Sequence, residues 1–190
     1  MAQIDCNAFS DSQLVNKSID NQAYFACLYN RYEAKLLRYI HRLSDLSDDE
    51  ALDILQEAFI KVWVNINDFD PELSFNSWIY RIVHHETISV WRKKTSFNKN
   101  NTLDFNKLNE TLTNDDELDN EEHEKKIQLL INLLPENYKS VLVLKFFEDK
   151  SYEEISDILK IPEGTVATRL NRAKKTFQEL TEQHHISFFD

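Results

Sequence analysis

Apolar residues recur three and four positions apart over most of this chain, the period of helices buried along one face. Phe25, Leu28, Tyr29, Tyr32, Leu36, Tyr39, Ile40 and Leu43 form one such stripe, predicting a helix over 20–43 with Asp20 as cap, preceded by a weaker helix near 11–17. Behind Ser47, a second stripe of Ala51, Ile54, Leu55, Ala58, Phe59, Val62 and Ile66 predicts a helix over 48–66. Ser74 opens a third helix, in which Phe75, Trp78, Ile79 and Ile82 face a core. Periodicity then lapses over 95–116, an asparagine-rich stretch with the composition of a linker. It returns with Ile127, Leu130, Ile131 and Leu134, and Pro135 opens a helix carrying Tyr138, Val141, Leu142, Leu144 and Phe146.

The most informative stretch is 151–175. Ser151 and Glu154 form a capping box ahead of Ile155, Ile158 and Leu159. The single glycine of the chain, Gly164, marks a short turn. Val166, Leu170, Ala173, Phe177 and Leu180 then make the stripe of another helix. Two helices joined by so short a turn form a helix-turn-helix, whose second helix enters the DNA major groove. Its outward residues would be Thr165, Ala167, Thr168, Arg169, Asn171, Arg172, Lys174 and Lys175. Arg can bond guanine, Asn adenine and Lys phosphate, while Thr and Ala can meet a thymine methyl. A solvated basic face on an ordinary core helix is the plainer alternative.

One glycine and three prolines in 190 residues argue against a β-rich fold. The expected fold is all-α: two small helical bundle domains joined by a flexible linker, with the helix-turn-helix in the second. The expected divisions are 1–94, 95–116 and 117–190. The net charge of −11 is unevenly spread. Residues 45–57 and 104–126 are strongly acidic, whereas 78–99 and 164–178 are basic. DNA would be drawn to the basic segments and a different partner to the acidic ones. Cys6 and Cys27 are expected as reduced thiols of a cytoplasmic protein. The start lacks a signal-peptide pattern, and no apolar run is long enough for a membrane span. His84 and His85 lack a third ligand at suitable spacing, so no metal is expected, and neither is a cofactor. No nucleophile triad or glycine-rich phosphate loop is present, and the chain is not expected to be an enzyme.

The segment 53–63 (DILQEAFIKVW), the run FNSWIYRIVHHETISVWRKK and the block from LLPENYKS through the helix-turn-helix together resemble a bacterial RNA polymerase sigma factor. The form they resemble is the small two-domain extracytoplasmic-function (ECF) type. The resemblance implies a promoter-specific initiation factor with core RNA polymerase and promoter DNA as partners. It implies that Asp53, Leu55, Gln56, Glu57, Phe59 and Trp63 dock on the β′ clamp and that the C-terminal domain meets the β flap. Phe69, Phe75, Trp78, Tyr80, Arg81, His84, His85, Trp91, Arg92 and Lys93 would recognise and open the −10 element. Thr165 to Lys175 would read the −35 element. An anti-sigma protein is a further candidate partner. The family's usual Asn and Asp are replaced by His85 and Ser89, which unsettles the −10 base preference. The competing reading is a stand-alone helix-turn-helix regulator that binds operators as a dimer. It leaves the acidic, Trp-bearing helix without a role.

Overall fold

The computed structural model describes residues 4–70, 73–97 and 120–184, and among them the regular structure is entirely helical. After a 3-10 turn (Cys6–Ala8), four α-helices form the N-terminal half: α1 (Asp11–Asp20), α2 (Ala23–Leu43), α3 (Asp48–Val64) and α4 (Phe75–Phe97). Four more form the C-terminal half: α5 (Asn120–Leu133), α6 (Glu136–Phe146), α7 (Tyr152–Leu159) and α8 (Glu163–Gln183). The expected linker falls largely outside the described residues, as does the C-terminal tail. No described helix is long and apolar enough to cross a membrane.

Local chemistry sets most helix starts. Ser10, Ser47 and Ser151 each accept the backbone N–H three residues on, while Gln13, Glu50 and Glu154 reach back to the cap. Each exchange satisfies two otherwise orphaned donors. Ser74 Oγ accepts the Ser77 amide at the head of α4. The helix expected to start at Asp20 begins later, because α1 runs on through Asp20. Extended backbone at Asn21 ends it, and the Asn21 side chain accepts the Ala23 amide at 3.0 Å. A short polar side chain has competed with the helix ladder and won.

Two expectations need correction. Cys6 and Cys27 are joined in a disulfide with Cα atoms 5.3 Å apart. Arg31 explains the approach: its guanidinium donates to the carbonyl oxygens of Cys6 and Phe9 and pairs with Asp11, folding the first turn onto α2. A cysteine count contains no information about that fold-back. The second correction concerns Gly164, which is not at the turn but inside the first turn of α8, where an added Cβ would meet nothing within 4 Å. The left-handed residue that reverses the chain is Lys160, at φ 53°. Its N–H bonds the Ser156 carbonyl, and the Ser156 hydroxyl donates to the Ile161 carbonyl at 2.6 Å. Pro162 then leads into α8.

The halves share one apolar core. Leu28, Leu36, Ile40, Leu55 and Ile79 from the first are continuous with Ile131, Leu144, Ile155, Val166 and Leu170 from the second. The axis of contact is α4, which packs on α3 on one side and on α7 on the other.

Candidate nucleic-acid interface

On α8, Val166, Leu170 and Ala173 are buried against the C-terminal core. That burial turns Thr168, Asn171, Arg172, Lys174 and Lys175 to solvent, with Thr165, Ala167 and Arg169 partly exposed. Thr168 Oγ1 bonds the Gly164 carbonyl, which fixes its rotamer. Lys174 lies 5.3 Å from the exposed Phe146 ring, and Lys175 pairs loosely with Glu179 at 3.8 Å. The result is a basic face on the second helix of a helix-turn-helix, in a geometry suited to groove insertion.

On α3, burial separates the expected docking residues into two groups. Leu55 and Phe59 are core, whereas Asp53, Gln56, Glu57 and Trp63 are on the surface. Phe59 packs on Phe25 and Tyr29 and so holds α3 to the core. Ile60 and Val64 join Trp63 on the outside, at 56%, 69% and 37% exposure. The Trp63 ring is steadied from beneath by Phe25 at 4.9 Å. An aromatic anchor beside apolar neighbours and carboxylates has the composition of an interface. Neither Ile60 nor Val64 belongs to the buried stripe of α3 or to the residues the resemblance implies, and both face outward.

The expected −10 residues also divide. Phe69, Phe75 and Trp78 form one aromatic cluster, with Phe69 and Trp78 4.8 Å apart and Phe75 buried behind them. His85, Arg92 and Lys93 are exposed. Tyr80 is buried, and its hydroxyl donates to Glu148 at 2.6 Å. Burial and then that bond hold its phenol well above the usual range. Tyr80 therefore lies behind the surface on which sequence reasoning placed it. His84 is partly buried, with Nδ1 2.9 Å from the Tyr39 hydroxyl. Its imidazole is pushed down to about 4 by burial, against the opposing pull of Glu136. Arg81 pairs with Asp157 at 3.5 Å, and Arg92 donates two bonds of 2.7 Å to Glu136. A cleft of about 1030 Å³ runs along this face, with Phe69, Trp78, His85 and Ser89 on one wall and Leu159 and Lys160 on the other.

These surfaces match known proteins in the same order along the chain. Residues 28–97 match the family described as sigma-70 region 2, and residues 124–177 match sigma-70, region 4. The class is thus the sigma-70-type transcription initiation factors. The chain is 33% identical to the ECF RNA polymerase sigma factor SigW of Bacillus subtilis, over 84% of this chain and 89% of that one. It is 29% identical to the RNA polymerase sigma-H factor of Pseudomonas aeruginosa, over 89% of this chain and 92% of that one. The fold is similar to CnrH, solved in complex with the cytosolic domain of CnrY, with a TM-score of 0.70 at 19% identity, covering 91% of this chain and 97% of that one. It is also similar to the sigma factor RpoE, solved with the anti-sigma factor NepR from Bartonella quintana, with a TM-score of 0.63 at 20% identity, covering 83% and 96%. The protein belongs to the ECF sigma factors of RNA polymerase.

Proposed function

We propose that this sigma factor acts by binding alone, in the cytoplasm, as a bidentate reader of promoters seated on core polymerase. The outer face of α3, with Asp53, Gln56, Glu57, Ile60 and Trp63, docks on the β′ clamp, and the C-terminal half docks on the β flap. The Phe69–Trp78 cluster and the exposed part of α4 stack and hold the opened −10 strand. Stacking of about 1–3 kcal/mol per base offsets the few kcal/mol needed to unpair each step. α8 reads the −35 duplex through Arg169, Asn171 and Arg172, with Lys174 and Lys175 on phosphates. An anti-sigma protein is a further partner in this reading; the fold neighbour RpoE was solved with one, NepR.

The observation that carries this reading is the outward face of α8, which combines side chains suited to base reading and phosphate binding on a helix-turn-helix whose other face is buried at Val166, Leu170 and Ala173. The test is transcription reconstituted from core polymerase and the full chain, with start sites mapped by sequencing. Arg172→Ala is expected to lower −35-dependent initiation about 5- to 160-fold and to relax base preference at one position, the loss of a bond worth roughly 1–3 kcal/mol. An equal loss on all −35 sequences would make Arg172 a phosphate contact only. Failure of the wild-type chain to associate with core polymerase would refute the reading.

A further inference from the structure

Lys61, Glu86 and His85 form a chain of polar contacts that lies wholly within the N-terminal half and ends in the cleft. Lys61, on α3, donates to one oxygen of Glu86 on α4 at 2.8 Å. The other Glu86 oxygen meets His85 Nδ1 at 3.1 Å. Glu86 keeps 17% of its side chain exposed and His85 81%, so an enclosed carboxylate holds an open ring. Burial alone would raise the Glu86 carboxyl, but the bonds from Lys61 and His85 outweigh it and hold the group below the usual carboxylate range.

An ionised carboxylate only accepts, so the hydrogen that His85 shares with Glu86 sits on Nδ1. In the neutral imidazole that leaves Nε2 bare, as an acceptor. Among the described residues Nε2 has no hydrogen-bond partner. The neighbouring His84 is engaged with the Tyr39 hydroxyl. His85 stands two turns along α4 from Trp78 and one turn from Ser89, and all three line the cleft.

We propose that Glu86 is a positioning residue for −10 recognition. Held by Lys61, it fixes His85 with Nε2 as an acceptor, and so selects a base with an exocyclic amine, adenine or cytosine, over guanine and thymine. The inference rests on the reading of α4 as the −10 surface. Adenine N6 and cytosine N4 donate, whereas guanine O6 and thymine O4 accept and would set one acceptor against another. The Ser89 hydroxyl can donate or accept, so it adds no rule of its own. Base preference at this point therefore depends on a lysine of the neighbouring helix that touches no nucleotide.

The test assembles core polymerase with full-length wild type, E86Q or H85A. Binding is measured to fluorescent single-stranded −10 oligonucleotides in which each position in turn carries an amino base (A or C) or a keto base (G or T). Glu86→Gln keeps the side chain's size and leaves Lys61 with Glu57, 3.6 Å away. Its amide can donate to Nδ1 or accept from it, so the ring takes either tautomer. Wild type is expected to prefer the amino base at one position by about 2- to 13-fold, the range of a single hydrogen bond. E86Q and H85A should lose that preference and keep the preferences at other positions. A preference that survives E86Q overturns the proposal. So does an equal loss on every oligonucleotide, which would make Glu86 only a structural link between α3 and α4. Should E86Q not fold, nitrogen-15 spectra of the wild-type ring at pH 8, where an imidazole is ordinarily neutral, decide alone: hydrogen on Nδ1 supports the proposal, and hydrogen on Nε2 overturns it. Failure of the −10 reading itself looks different, because Trp78→Ala would then leave binding of every −10 oligonucleotide unchanged. If Trp78→Ala weakens binding while E86Q and H85A leave the ranking of bases intact, this proposal alone falls.

Discussion

Burial strips water from the His84 imidazole, and Glu136 compensates only in part, so the folded ring takes up a proton near pH 4 against an ordinary value of 6.5. The unfolded chain therefore protonates first, and stability that is complete above pH 6.5 is lost as pH falls through the interval down to about 4. Between pH 7 and pH 5 the expected loss from this residue is about 1–2 kcal/mol, discounted for its partial exposure. Urea denaturation of wild type and His84→Gln at both pH values checks this: the substitution should flatten the acid side of the profile by that amount. The turn of the helix-turn-helix gives a second expectation. Lys160 adopts a left-handed conformation that costs a residue with a Cβ roughly 1–2 kcal/mol, so Lys160→Gly should raise the denaturation midpoint. Gly164→Ala should raise it too, by up to about 1 kcal/mol, because a methyl group there meets open space. If both variants melt at or below wild type, the turn geometry is wrong.

Helices are where the sequence was most informative, and α3 shows why. Its stripe from Ala51 to Val62 is buried as the period requires, and the residues left over are the ones now outside. Leu55 and Phe59 are named for docking by the family resemblance and for the core by the period, and both are buried as the period requires. Long-range pairing was not legible. Nothing local couples Glu148 to Arg42 and Tyr80, more than sixty positions away in each case, or brings Cys6 onto Cys27. Such contacts depend on where whole helices come to rest, and a helical period does not encode that. The disulfide makes its own prediction. It closes a loop across 21 positions, so Cys6→Ser should cost about 3 kcal/mol on the chain-entropy model. Thermal melts with and without reductant check it: reductant should lower the wild-type midpoint to that of the variant and leave the variant unchanged.

At the scale of the whole molecule, an acidic chain must still meet a polyanion, and the arrangement of charge decides how. The net charge is −11, yet α8 carries Arg169, Arg172, Lys174 and Lys175 on its outer side, and its acids lie only at the two ends. Long-range attraction to DNA is therefore weak for the molecule and strong for one face, so approach is expected to be slow and binding to depend on local phosphate neutralisation. Each phosphate neutralised releases counterions and adds about −0.9 to the slope of log affinity against log salt. Four basic groups bound that slope at about −3.6 for α8, and the Glu179 pairing to Lys175 makes the real contribution smaller. Lys174→Ala in the assembled polymerase complex should make the slope shallower by about one for duplexes carrying any −35 sequence. Arg172→Ala should instead change the ranking of sequences. Titrations of both variants over a salt series separate these roles: if Lys174→Ala alters sequence ranking and leaves the slope unchanged, the assignment of phosphate contact and base reader on α8 must be exchanged.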